Sequence, residues 1–408
     1  MYVNLHPAFA DSQAAKEAAD LVQSCVHCGF CNATCPTYQD LFDERDGPRG
    51  RIYLIKNMLE SGQANDVARK HLDRCLTCRA CETTCPSGVE YGRLVDIGRE
   101  IVDEWGDRPV VQKLVRRVLR SVFPYSRRVN VLLALGRFFS PILPQALRRN
   151  IPPRQALEVQ QATLPAATRK MIVLGGCVQE AATPRTNNAA QRVLRRLGID
   201  LVEAKSAGCC GAVSYHLGAQ DEGLDFMRRN IDAWWPQLEA GVEAIITTAS
   251  ACGVMVKDYG EFLKNDQDYA AKASRISELA KDLCEVLDDE DLSVFADVAD
   301  KSRTAVHCPC TLMHGQQLGG ALERVLARVG VPLSKTTENH LCCGSAGTYS
   351  LLQPEMSQRL LKRKLAALSI DNPEQIVTAN IGCQMDLGTL SEVPVRHWIE
   401  LLDATIPP

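Results

Sequence analysis

Residues 25–36, CVHCGFCNATCP, and residues 75–86, CLTCRACETTCP, carry one pattern twice. In the first stretch Cys25, Cys28 and Cys31 fall three apart, and Cys35 follows with Pro36 behind it. In the second, Cys75, Cys78, Cys81 and Cys85 repeat that spacing before Pro86, displaced by 50 residues. Three thiols at this interval can wrap one face of a compact group. The fourth, set apart by three residues and closed by proline, is turned away from it and free to serve the other run.

That arrangement is the ferredoxin-type run, in which three cysteines hold one [4Fe–4S] cubane and the fourth ligates its neighbour. It predicts cluster one on Cys25, Cys28, Cys31 and Cys85, and cluster two on Cys75, Cys78, Cys81 and Cys35. Structural zinc also takes four thiolates, but it usually pairs two Cys-x2-Cys knuckles, and a triple run closed by Cys-Pro has no zinc rationale. The 39 residues between the runs include GPRGRIYLIKNMLESGQ and DVARKHLDR. Ile52, Leu54, Ile55, Met58 and Leu59 recur at helical spacing, with Gly62 as the stop. Helices are also predicted over 11–24 and 92–105. Residues 1–105 therefore read as an α-helical ferredoxin-type module, not the compact β-hairpin kind. Arg49, Arg51, Arg74 and Arg79 lie near the cysteines in sequence. A guanidinium beside a four-thiolate cluster would raise its potential, and ordinary solvated arginines are the alternative for each.

The chain has 408 residues, 46% hydrophobic and 23% charged, with room for two or three domains. Its 18 cysteines are not preceded by a basic and apolar leader in MYVNLHPAFADSQAAKEAAD. Cysteine richness without an export signal points to metal ligation in a reducing cytoplasm, not to disulfides. No run of 18 uncharged apolar residues occurs, so no membrane-spanning helix is expected, and no nucleic-acid partner either.

The net charge of −3 conceals an asymmetry. Between Arg108 and Lys170, 13 Lys and Arg stand against one acid, Glu158, so this segment is about +12 and the remainder about −15. Within it, residues 108–154 alternate apolar and arginine positions at helical spacing, broken by Pro124, Pro141 and Pro144. Such a stretch can lie on an anionic membrane surface, dock an acidic partner, or pack on the chain's own acidic parts. Residues 106–170 read as a basic helical linker, Pro- and Ala-rich over 151–168.

From Met171 strands alternate with helices, and the order recurs. MIVLGG, TNNAAQRVLRRLG, IDLVEA, DEGLDFMRRNIDAWWPQLEA and EAIITTA answer to TAVHC, GALERVLARVG, VPLSKT, PEMSQRLLKRKLAALSI and EQIVTA. The alternation predicts two α/β lobes with parallel sheets, over 171–295 and 296–408. Each lobe carries thiols at matching places: Cys177, Cys209, Cys210 and Cys252 in the first, and Cys310, Cys342, Cys343 and Cys383 in the second. Each set places a cysteine after a strand, a Cys-Cys-Gly turn, and a cysteine after a later strand, so the four can converge at the strand ends. A further cluster, a zinc ion, or reduced buried thiols are the readings that stand for these lobes. Cys308 is an extra thiol beside Cys310, and Cys284 stands alone in a predicted helix. His216, His307, His314 and His340 flank the motifs as ligands, as donors to sulfur, or as neutral packed side chains. Trp234, Trp235 and Trp398 read as core aromatics.

The paired Cys-Cys-Gly segments resemble the cysteine-rich domains of heterodisulfide reductases and of iron–sulfur subunits of respiratory hydroxyacid and glycerophosphate dehydrogenases. In the fuller motif the last element is Cys-x2-Cys, and here Ala249 and Asn380 stand at the earlier position. Each set keeps four thiols instead of five, which counts against heterodisulfide-type chemistry. Taken together, SCVHCGFCNATCPTY, DGPRGRIYLIK, HLDRCLTCRACETTCPSGV, AGCCGAVSYHL, HCPCTLMHG, HLCCGSAGTYSL and IVTANIGCQ are similar to the glycolate oxidase iron–sulfur subunits. That resemblance implies an electron-transfer subunit of a multi-subunit enzyme that oxidises glycolate to glyoxylate, and D-lactate to some extent. FAD would sit on a separate flavoprotein subunit. The two [4Fe–4S] clusters would pass electrons singly toward a membrane acceptor, expected to be quinone, with the chain peripheral on the cytoplasmic face of the inner membrane. The alternatives are the equivalent subunit of a D-lactate or glycerol 3-phosphate dehydrogenase, and a thiol–disulfide enzyme. No Gly-rich dinucleotide fingerprint follows a strand, and Gly344-Ser345-Ala346-Gly347 suits a tight turn. The chain alone is not expected to oxidise glycolate.

Overall fold

The computed structural model describes residues 1–155, 166–295 and 300–406. The centre of the Pro- and Ala-rich linker and the expected boundary between the lobes at 296 lie outside the described residues.

The first hundred residues are helical, as expected. Gln13–Gln23 starts at Ser12, whose hydroxyl accepts from the Ala15 N–H. Pro48–Ser61 opens on proline, which gives up no needed hydrogen bond there, and closes on Gly62 in the left-handed conformation at φ 66°. Asp66–Asp73 is capped by Asn65, and Tyr91–Trp105 crosses the others. Ala15, Val22, Ile55, Met58, Leu59, Leu72, Leu94 and Ile97 form the buried core between them. At Gly98 a β-carbon would come within 2.8 Å of Ile55, so glycine permits the close crossing of two helices.

The basic segment forms Val110–Val122 and Ser126–Phe139, separated at Pro124. Its arginines divide between two faces. Arg108 and Arg116 are buried against Asp73 and Asp103, and Arg120 reaches Glu222 at 2.8 Å. Packing on the chain's own acids thus holds for these three. The opposite face exposes Val110, Val111, Leu114, Val118, Leu132, Leu135 and Phe138. Lys113, Arg117, Arg127 and Arg128 are exposed around them.

The first lobe has a parallel sheet ordered β2-β1-β3-β4. Its strands are β1 (Arg169–Leu174), β2 (Ile199–Glu203), β3 (Ile245–Thr247) and β4 (Ala280–Asp282). The second lobe orders β5 (Thr304–His307), β6 (Gln375–Thr378) and β7 (Val395–His397), again parallel. The strand expected at VPLSKT is reduced to one bridge between Thr304 and Leu333. Pro332 has no N–H to give a ladder, and only its carbonyl pairs, accepting from Thr304. Cys284 lies in the helix Leu283–Asp289, as expected. Trp234 and Trp398 are fully buried. Trp235 is not a core residue: its indole N–H donates to Glu239 at 2.8 Å on the surface.

The lobes meet through the ends of their sheets. Ser250 N–H donates to the Ala379 carbonyl at 3.0 Å, and His397 Nε2 donates to the Thr248 carbonyl at 2.9 Å. One hydrophobic cluster runs through both, from Met171, Val193 and Leu287 to Val306, Leu322 and Trp398. Cys308 belongs to this shared core, not to the thiol set beside it.

Candidate iron–sulfur centres

Cys25, Cys28, Cys31 and Cys85 line one cavity in the helical module. Cys35, Cys75, Cys78 and Cys81 line a second. Cys81, Pro48 and Tyr91 border both, so the two cavities share a wall. The two runs reach this geometry through the same backbone device. Residues two and four after the first cysteine are left-handed: His27 at φ 58° and Gly29 at φ 88°, then Thr77 at φ 52° and Arg79 at φ 59°. These turns aim the His27 N–H at Cys25 Sγ and the Thr77 N–H at Cys75 Sγ, each at 3.4 Å.

The thiols around the second cavity are the more buried, and a buried charge stands beside them. Arg51 is fully buried, donating to the His71 carbonyl at 2.7 Å and to Thr37 Oγ1 at 3.0 Å, with Nη1 4.0 Å from Cys35 Sγ. Burial works against its charge, but Tyr91, Cys75, Cys35 and Asp46 around it hold the guanidinium protonated. Asp46, itself fully buried, bonds His71 at 2.8 Å and Arg74 at 2.9 Å. Burial pushes the Cys31 thiol up to about 11 and those of Cys78 and Cys81 well above their usual range. Metal loading must therefore displace protons, and a buried cation beside the thiolates favours it. Four thiols around each of two cavities, with sulfur-directed N–H groups and a buried guanidinium, fit the pair of [4Fe–4S] clusters. Such clusters supply one-electron transfer. Cys28 is exposed between the exposed side chains of Val26 and Phe30, so the first cavity opens to the surface.

In each lobe the Cys-Cys-Gly turn is built alike. Gly211 and Gly344 sit at φ 92° and 93°, and a β-carbon on either would come 2.7 Å from a backbone carbonyl, of Gly223 or Ser357. Glycine is required there twice over, for the dihedral and for the approach. Their N–H groups point at Cys209 Sγ and Cys342 Sγ at 3.5 and 3.4 Å. Cys177 neighbours Cys209 and Cys210 neighbours Cys252. In the second lobe Cys310 lies 3.7 Å from Cys342, and Cys343 lies 3.2 Å from Cys383. Each set converges within its own lobe, and the second also faces the ferredoxin-type module. Cys78, Cys310, Cys342, Leu76 and Tyr349 pack together. Beside them a cavity of about 280 Å³ touches Cys75, Cys310, Cys342 and Cys383.

Three of the histidines and arginines singled out by sequence, His216, His314 and Arg79, hold the module on the lobes, while Arg49, Arg51 and Arg74 pair within the module. His216 meets Asp96 at 3.1 Å, and His314 bridges Thr83 Oγ1 at 3.0 Å and the His340 carbonyl at 2.9 Å. Arg79 reaches Asp258, and Arg49 pairs with Glu44. Tyr349, which donates to the Arg74 carbonyl at 3.0 Å, had no sequence signal as a contact.

A helical module with two thiol-lined cavities, carried on twinned cysteine-bearing α/β lobes, defines an iron–sulfur electron-transfer protein. Residues 21–89 match the 4Fe–4S dicluster domain family, and residues 172–257 and 304–388 match the cysteine-rich domain. The glycolate oxidase iron–sulfur subunit of Escherichia coli (strain K12) is 51% identical over 392 residues, spanning 96% of each chain. A probable glycolate oxidase iron–sulfur subunit of Bacillus subtilis (strain 168) is 30% identical over 90% of this chain and 88% of its own. Lactate utilization protein A of Bacillus velezensis is 27% identical over 56% of this chain and 96% of its own. Among solved structures, a hypothetical protein from Helicobacter pylori shares the fold with TM-score 0.55 at 9% identity, covering 97% of this chain and 72% of that one. The chain belongs to the glycolate oxidase iron–sulfur subunit family. No described helix is long and apolar enough to cross a membrane.

Proposed function

We propose that this chain is the electron carrier of a glycolate-oxidising complex, with cluster one on Cys25, Cys28, Cys31 and Cys85 and cluster two on Cys35, Cys75, Cys78 and Cys81. FAD on a flavoprotein subunit would supply oxidation of glycolate, and the clusters these eight cysteines would hold would supply one-electron acceptance. The observation that carries this reading is the shared wall between the two cavities, with the first opening to solvent at Cys28 and the second set against the second lobe. Entry is at the exposed apolar rim of Val26 and Phe30, where a partner can exclude water. Exit is on the lobe side, toward a membrane quinone. The apolar outer face of the 110–139 helices, ringed by Lys113, Arg117, Arg127 and Arg128, suits an anionic lipid surface on the cytoplasmic side. The domains expected at 1–105, 106–170, 171–295 and 296–408 serve as relay, surface contact and a two-lobed base.

The test is to add glycolate to the anaerobic chain with and without its flavoprotein partner and to follow the cluster EPR signals. Reduction only in the presence of the partner is expected. Reduction of the lone chain by glycolate would overturn the assignment.

A further inference from the structure

The two lobes are repeats, yet the strand-end position before the first thiol separates them. Three residues before Cys310, at the end of β5, stands His307, and three residues before Cys177 stands Leu174. Leu174 is buried among apolar neighbours. His307 is just as buried, and its surroundings are those of a ligand. Its Nδ1 pairs with Thr378 Oγ1 at 3.0 Å, which fixes the ring, while its Nε2 has no hydrogen-bond partner. An unpaired buried ring nitrogen is costly unless something else occupies it. His307, Cys343 and Cys383 bring their ligand atoms within 4.8 Å of one another, and all three residues are buried.

We propose that the second lobe, and not the first, holds a single zinc ion on His307 Nε2, Cys343 Sγ and Cys383 Sγ. Cys342, the chain neighbour of Cys343, is the further thiol at hand for a fourth position. Two thiolates on one tetrahedral zinc stand about 3.8 Å apart, given Zn–S bonds of about 2.3 Å. The 3.2 Å between Cys343 and Cys383 is close to that spacing. A cubane instead takes one thiolate on each iron and spreads them farther. Mixed sulfur and imidazole donors at tetrahedral spacing favour zinc among the common divalent ions. The second shell is also present in this lobe alone: Asn380 Nδ2 donates to Cys383 Sγ at 3.5 Å, where the first lobe has Ala249. The ion would tie the end of β5, the Cys-Cys-Gly turn and the helix after β6 into one rigid floor beneath Cys310 and Cys342, which face Cys78. This inference does not depend on which substrate feeds the clusters.

The experiment measures zinc and iron per chain in the full-length protein purified anaerobically, with zinc K-edge absorption to read the ligand atoms. About one zinc with sulfur and nitrogen neighbours is expected, beside about eight irons. His307→Ala should lower zinc at least tenfold with iron and the cluster EPR signals unchanged, which also shows that the variant is folded. His307→Cys should restore zinc with sulfur neighbours only, and the double variant Cys210→Ser/Cys252→Ser should keep it. Wild-type protein without zinc, full zinc in His307→Ala, or a third cluster that is lost in Cys343→Ser would each overturn the proposal.

Discussion

Arg79 Nη2 donates to Asp258 Oδ2 at 2.5 Å, joining the second cysteine run to the first lobe. The arginine makes this contact from a left-handed backbone position that the first run fills with Gly29. The repeat thus accepts local strain in one copy in order to bind the module to its base. Asp258→Ala should cost roughly 2 kcal/mol, discounted from the cost for a fully buried pair because the side chains keep 19% and 26% exposure. Arg79→Gly should cost about half as much, since relief of the left-handed residue returns about 1 kcal/mol. Denaturant unfolding, read separately at the cluster absorbance and by far-UV circular dichroism, checks both. Equal losses in the two variants would argue against strain at Arg79.

The crossed ligation gives a sharper test than loss of colour. Cys85→Ser should remove cluster one although it lies in the second run, and Cys35→Ser should remove cluster two. Mössbauer or EPR spectra of the two variants should therefore match those of Cys28→Ser and Cys78→Ser respectively. The lobes' circular dichroism should persist in all four. Spectra that follow the run and not the cavity would reject the assignment.

Arg51 is the only fully buried arginine among the described residues, and it bears on cluster two alone. Arg51→Met, which keeps bulk and removes charge, should lower that cluster's midpoint potential by roughly 60 mV, the one-electron equivalent of a tenfold change. Cluster one should stay in place. A redox titration followed by EPR separates the two, and an unmoved cluster two would make Arg51 purely architectural.

Between the lobes, burial pushes His397 down to about 4, and its hydrogen bond to Thr248 only partly opposes this. A histidine whose folded pKa lies below its unfolded value stabilises the fold above about pH 6.5. That contribution drains away as the pH falls from there toward 4. Thermal unfolding of wild-type protein should lose stability over this window, and His397→Gln should flatten the profile. An unchanged slope in the variant would place the acid sensitivity elsewhere.

The surface reading also dictates which charges to change. Reversing Arg116 or Arg120 would break pairs with Asp73, Asp103 or Glu222 and report on folding. Arg117→Glu/Arg127→Glu and Leu135→Ser/Phe138→Ser instead touch the outer face. Both double variants should reduce cosedimentation with phosphatidylglycerol vesicles several-fold, without changing the unfolding temperature. Unchanged sedimentation would reassign that face to a protein partner.

The grouping of eight cysteines around two cavities was legible because their spacing sorts them into three-plus-one, and the helices between them follow from periodicity and Gly62. The lobes were legible from the repeat. What escaped depends on partners far away in sequence. Arg108, Arg116 and Arg120 turn inward because Asp73, Asp103 and Glu222 wait there, and helical spacing cannot show that. The missing strand at 331–336 was announced by Pro332 and outweighed by its apolar neighbours. Trp235 differs from Trp234 only in falling one step around the same helix. Of the four flagged histidines, His216 and His314 clasp domains together and His307 alone keeps a buried nitrogen free, a distinction that only packing reveals.

The first cavity draws its last wall from residue 85, and the second draws one from residue 35. Neither pocket can be finished by half of the module. A chain emerging from the ribosome has no complete nest for iron until both runs are out, and then it has two at once. Maturation of this module should accordingly be all or nothing: partially synthesised or nicked chains would carry no cluster, and the cell would meet either a loaded relay or an empty one.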